Sequence, residues 1–282
     1  MWDVAAERKR FTTSDGVDLS YLEAGSGPPF VMIPGWSQTA VQWAAQINHF
    51  KDTHRVIAVD MRGHGESQKV EYGYRIHRLS KDLSELMEAL DLTDAVLMGH
   101  SMGCSVIWGL IDLFGSGRIA KLVLVDQSAF LSINPTLSEQ DKADAGAIFT
   151  SEAAFDTVNQ LGGPNGEAVT TGFIGQMFTD AADPQLVADV VRLNMAFPRH
   201  LAGALIINHV FNDWRDVIRR IDVPTLCVGG KVSLVPWRTM EWQAEVIPGA
   251  ELAIFEEADG GAHFMFMENP DGFNQRVSAF LA

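Results

Sequence analysis

Residues 95–103 read Ala95-Val96-Leu97-Met98-Gly99-His100-Ser101-Met102-Gly103. A short apolar run leads into a Gly-His-Ser-Met-Gly turn, and a long apolar stretch with helical spacing follows over residues 102–114. That is a strand, a sharp turn and a helix. A serine at such a junction needs neighbours without bulk, and glycines two residues before and after it supply them. The turn lifts the hydroxyl to the carboxyl end of the sheet, where open α/β folds bind their ligands. It also leaves backbone N–H groups at a helix N-terminus, suited to a developing negative charge. Ser101 is therefore expected to be a nucleophile.

Strands and helices alternate on both sides of this turn. Residues 8–13 and 17–23 flank an Asp15-Gly16 turn signal and form an opening hairpin. Residues 30–33, 55–59 and 122–125 are short apolar strands, and so are residues 224–228 and 252–255 after a long gap. Residues 41–50 have helical spacing, and residues 79–90 place Leu79, Leu83, Leu86, Met87 and Leu90 on one helical face. Residues 271–282 close the chain as a helix. This alternation predicts an α/β fold with a mostly parallel central sheet flanked by helices. Between residues 128 and 213 the rhythm changes to helical segments punctuated by Pro135, Gly162-Gly163-Pro164 and Pro198. The expected organisation is an α/β core over residues 1–130 and 216–282, with a helical cap inserted over 131–215.

Length and composition suit this reading. The chain has 282 residues, 47% of them apolar and 20% charged, the balance of a folded globular protein. Its net charge of −15 repels phosphate, so neither nucleic acid nor an anionic membrane is an expected partner. The two cysteines, Cys104 and Cys227, show neither metal spacing nor a disulfide framework and read as small core residues. No HExxH, phosphate-binding glycine loop or Cys/His cluster is present, so no metal or organic cofactor is expected. The first residues lack the pattern of a secretory signal and no apolar run is long enough to span a membrane. The expected location is the cytoplasm.

Four segments, in order, resemble the α/β-hydrolase superfamily. They are Pro34-Gly35-Trp36, the turn Asp60-Met61-Arg62-Gly63-His64-Gly65-Glu66-Ser67, the Ser101 elbow, and His263 in Gly260-Gly261-Ala262-His263-Phe264. The resemblance covers nearly the whole chain. It implies the order nucleophile, acid, histidine, with His263 as the general base that a serine hydroxyl requires. It also implies an oxyanion hole from the backbone N–H groups of Trp36 and Met102. The remaining histidines have structural readings, though one in the cap, His200 or His209, could touch substrate.

The acid departs from the family pattern. Relatives carry G-x-x-D-x-x-V-P after the strand that follows the cap. Here the stretch is Gly229-Gly230-Lys231-Val232-Ser233-Leu234-Val235-Pro236, with Val232 in place of the acid. A valine cannot orient an imidazole. Some members place their acid one strand earlier, where this chain has Asp126 after residues 122–125. Asp126 is the expected acid, with Glu257 and Asp259 as weaker alternatives. Trp36, Phe130, Trp237 and Phe264 flank these motifs and are expected to bind an apolar part of the substrate.

The expected function is cleavage of a small carboxylic ester or lactone through an acyl-enzyme on Ser101. Three alternatives stay open: a carbon–carbon bond hydrolase, a cofactor-independent dioxygenase acting on a quinolone-like heteroaromatic, and a ligand-binding protein without catalysis. The Pro34-Gly35-Trp36 loop and an early acid favour the dioxygenase. Met102, where such enzymes often have histidine, counts against it.

Overall fold

The structure is a computed structural model that describes residues 2–282. Its strands are β1 (Glu7–Thr12), β2 (Asp18–Ala24), β3 (Pro29–Ile33), β4 (Arg55–Asp60), β5 (Ala95–His100), β6 (Ile119–Val125), β7 (Thr225–Gly230) and β8 (Glu251–Phe255). They form one sheet in the order β1-β2-β4-β3-β5-β6-β7-β8. The β1–β2 and β2–β4 pairs are antiparallel, and every later pair is parallel.

Alternate residues of the central strands enter different cores. Val31, Ile33 and Leu97 face one apolar cluster, while Phe30, Met32, Val96 and Met98 face the other. Both faces are covered, which is why these strands read as unbroken apolar runs and not as alternating ones. The covering helices before the elbow are α1 (Ala44–Phe50) and α2 (Ile76–Ala89), and α3 (Met102–Phe114) follows it. On α2, buried Leu79, Leu83, Leu86 and Met87 lie at helical spacing, as the sequence predicts.

Between β6 and β7 come α4 (Glu139–Ala145), α5 (Ser151–Leu161), α6 (Gly166–Gly175), α7 (Pro184–Asn194) and α8 (Arg199–Val210), then the single turn α9 (Arg215–Ile218). Ser138, Thr150 and Asp183 cap α4, α5 and α7 through their side chains. The apolar residues of this insert join the two existing cores. Ala154, Leu161, Leu201 and Leu205 enter one, and Ile174, Leu186 and Val190 the other. The chain ends with α10 (Arg238–Val246), the turn α11 (Met265–Glu268) and α12 (Pro270–Leu281). No helix among the described residues is long and apolar enough to cross a membrane.

Candidate active site

The carboxyl ends of the central strands carry the polar groups. Ser101 follows β5 with φ 52° and ψ −127°, a conformation rare for a residue with a side chain. Its backbone is still held by the sheet, since its N–H donates to the Val125 carbonyl at 2.8 Å. The flanking glycines are required by contact. A Cβ at Gly103 would lie 2.3 Å from the Ile33 carbonyl oxygen, and one at Gly99 would lie 2.7 Å from the Cys104 nitrogen.

Asp126 follows the adjacent strand and repeats the arrangement. Its φ is 53° and its N–H donates to the Val228 carbonyl at 2.8 Å. Two neighbouring strand ends thus hold a non-glycine residue in the left-handed region, at a cost of roughly 1–3 kcal/mol each. Such strain persists where it positions a side chain. The Asp126 carboxylate is fully buried and has three donors around it. His263 Nδ1 donates to Oδ2 at 2.6 Å, the Ser233 hydroxyl donates to the same oxygen, and the Gly230 N–H reaches Oδ1 at 3.3 Å. Val232, where the family has its acid, is 44% exposed and turned away.

With Nδ1 engaged by Asp126, the imidazole of His263 keeps Nε2 for other work. His263 and Ser101 line the same cavity. No hydrogen bond joins their side chains in this structure, a contact that commonly tightens only around bound substrate. The loop that carries His263 is fixed from two sides. Its carbonyl lies 2.8 Å from His100 Nε2, and its N–H donates to the Met177 carbonyl at 3.0 Å.

The opposite wall is the Pro34-Gly35-Trp36 loop. His64, from the turn after β4, donates through Nδ1 to the Arg62 carbonyl at 2.9 Å, and its Nε2 accepts from the Ser37 N–H at 3.1 Å. Both contacts fit one neutral tautomer, and burial pushes the His64 pKa down to about 4. The imidazole therefore acts as a strut. It engages Ser37 and leaves the preceding N–H alone. The N–H groups of Trp36 and Met102 have no acceptor among the described residues, although both residues are buried. Two unpaired N–H groups, one on the residue that follows Ser101 and one on Trp36, which lines the same cavity, are what an oxyanion site requires.

The α/β-hydrolase fold family model matches residues 28–177. The chain belongs to the α/β-hydrolase fold family. It is similar over 96% of its length, at 31% identity, to the non-heme chloroperoxidase CPO-A1 of Kitasatospora aureofaciens, of which it covers 98%. Among solved structures it is similar to an esterase from Exiguobacterium antarcticum, with TM-score 0.84 and 26% identity over 97% of this chain and 99% of that one. A bromoperoxidase from Bacillus anthracis superposes with TM-score 0.88 over 98% of this chain and 99% of that one, at 22% identity, a likeness of fold. The chain is an enzyme of this family.

The cavity has about 480 Å³ of unfilled space, part of it open to solvent. Ile148, Phe149, Phe173, Met177, Ile206 and His209 line it from the insert, and Trp36, Gln38, Ser101 and His263 from the core. Trp36 also ties the two together, because its indole N–H donates to the Ala202 carbonyl on α8 at 2.8 Å.

Three residues expected at the substrate lie elsewhere. Phe130 is buried beside α4, with its N–H donating to the Ala145 carbonyl at 3.2 Å, and its neighbour Leu131 faces the cavity in its place. Phe264 is fully buried beneath the site, 4.8 Å from the Phe178 ring and 5.4 Å from the His100 ring. Trp237 stands at the start of α10 with Lys231 Nζ 3.3 Å from its ring centre and the Arg238 guanidinium at 5.0 Å. Next to a motif residue in the chain, a side chain can still point to another face. Glu257 and Asp259 sit in a short exposed turn and make no hydrogen bond to His263, whose Nδ1 is taken by Asp126.

Ser233 carries no signal in the sequence, because a serine beside Val232 reads as an ordinary loop residue. Its hydroxyl donates to Asp126 and accepts from the Val235 N–H at 3.1 Å, which fixes its direction. Ser233→Ala should lower kcat for an ester about tenfold, in line with roughly 1.5–3 kcal/mol for a hydrogen bond to a charged group, of which part reaches the barrier. Steady-state kinetics beside a thermal melt check this. A change below twofold with an unchanged melt would show that Asp126 is held without it.

Buried neutral histidines also predict acid lability. Burial lowers the pKa of His64 to about 4 and of His209 to about 3, and it pushes His100 well below the ordinary value. Between pH 6.5 and about 4 the unfolded chain binds protons at these positions and the folded chain does not. Stability therefore falls as pH falls through that window, by up to about 1.4 kcal/mol per pH unit for each histidine. Chemical denaturation at pH 7.0, 6.0 and 5.0 should show this decline. A flat profile would mean that these rings accept protons without unfolding.

Proposed function

We propose that the protein is a serine hydrolase that cleaves a small carboxylic ester or lactone with an apolar moiety, with residues 131–215 acting as its cap. The observation that supports this reading is that Ser101 and His263 line one cavity, with His263 Nδ1 held by the buried Asp126 carboxylate. Ser101 attacks the carbonyl while His263 Nε2 takes its proton. Asp126 stabilises the imidazolium, and the N–H groups of Trp36 and Met102 receive the oxyanion. The proton then passes to the leaving alcohol, and water activated by the same ring releases the acid. The cavity's aliphatic and aromatic walls suit an apolar acyl or alcohol part.

Fluorophosphonate labelling read by intact mass tests this reading. One adduct on the wild type, absent from Ser101→Ala, is the expected result. An unlabelled, folded wild type that also turns over no ester or lactone would overturn it.

A further inference from the structure

Among the groups facing the cavity, His209 has no role in the chemistry above. It lies in the last turn of α8 and is 96% buried. Its Nδ1 is sealed from solvent, and among the described residues neither Nδ1 nor Nε2 has a hydrogen-bond partner. The ring lines the cavity that holds Ser101 and His263. A buried imidazole without partners is unfavourable, and native interiors nearly always satisfy such groups. The other buried histidines of this chain follow that rule: His64, His100 and His263 each use at least one ring nitrogen. His209 is neutral, with a pKa lowered to about 3 by burial, and with Nδ1 sealed it is Nε2 that is left to a ligand, as donor or acceptor according to the tautomer.

The remaining walls say what would meet it. Among the described residues no Asp, Glu, Lys or Arg lines the cavity, so a charged substrate would leave water without compensation. Most lining side chains are apolar, among them Leu131, Ile148, Phe173 and Ile206. Gln127, next to Asp126 in the chain, is the other polar side chain present besides Gln38 and the catalytic pair. The site thus pairs an apolar wall with a hydrogen-bonding group on the insert, apart from the oxyanion donors on the core.

We infer that His209 is a specificity-determining residue that hydrogen-bonds a hydroxyl or carbonyl group on the apolar part of a neutral ester or lactone, away from the scissile bond. This rests on the hydrolase reading above. A site built to bond such a group rejects the analogue lacking it far more strongly than a purely apolar pocket can reject an added group.

The test uses p-nitrophenyl hexanoate and its analogues with a hydroxyl group at C3 or a keto group at C4 or C5. Selectivity is kcat/KM for each analogue divided by that for the plain ester. The wild type should favour at least one analogue by tenfold or more. His209→Leu should bring that ratio to within twofold of one, and His209→Gln, which keeps a donor and an acceptor, should restore most of it. Because the ratio cancels losses common to all esters, a merely structural His209 would change the melting temperature and leave selectivity alone. An active wild type with no preference, or one whose preference survives His209→Leu, overturns the inference and leaves the hydrolase reading intact. A wild type that takes no fluorophosphonate adduct and cleaves none of the set overturns that reading instead.

Discussion

Ser101→Ala should lower kcat for p-nitrophenyl butyrate by roughly 10⁴–10⁶-fold, the scale seen when a serine nucleophile is removed from such a unit. In the proposed mechanism the hydroxyl is the atom that forms the acyl-enzyme. Without it only the oxyanion donors and binding remain, and these leave a residual acceleration of about 10³–10⁴ over water. The substitution is also clean. The elbow is held by backbone contacts, namely the Ser101 N–H to Val125 and the Cys104 N–H to the Ser101 carbonyl, both at 2.8 Å. The strained φ of 52° is a backbone property that alanine tolerates no worse than serine. The melt should therefore stay within a few degrees of wild type. Wild-type-like turnover by the folded variant would remove Ser101 from the mechanism and return attention to Asp126 and His263 acting on a bound substrate without acyl transfer.

The parts of this site that are local in the chain could be read from it. The apolar run into Gly-His-Ser-Met-Gly carries both a strand and the reason it must turn, so Ser101 and the sheet around it were legible together. Asp126 could be singled out because Val232 removes the usual acid and because a carboxylate ending an apolar strand needs a partner. What depends on tertiary direction was not legible. Phe264 follows His263 yet turns into the core against Phe178, and Leu131, not Phe130, reaches the cavity. The helix α10 has no clear sequence signal because its buried face mixes Thr239 and Gln243 with Met240 and Trp242, which blurs the apolar period. Gln243 is inside because its amide donates to the Gln127 carbonyl at 2.7 Å, a partner 116 residues away. For His209 the sequence offers only its place in the insert, since a histidine on a helix says nothing of which way its ring faces.

Asp126→Asn should lower kcat by about 10⁴-fold, the loss expected when the group orienting a catalytic imidazole can no longer accept from it. The carboxylate accepts from His263 Nδ1 and the Ser233 hydroxyl at one oxygen and from the Gly230 N–H at the other. An amide has only one accepting atom. If its oxygen faces His263, its NH₂ opposes the Gly230 N–H. If its NH₂ faces His263, Nδ1 must become the acceptor and the ring proton moves to Nε2, where it blocks removal of the serine proton. In either case the negative charge that steadies the imidazolium is gone. Nitrogen NMR of the His263 ring separates these possibilities, because a proton shifted from Nδ1 to Nε2 is directly visible. A folded Asp126→Asn variant within tenfold of wild type, with the ring proton still on Nδ1, would show that the strained, buried carboxylate at the end of β6 is structural. The orienting acid would then have to come from Glu257 or Asp259 by movement of their exposed turn.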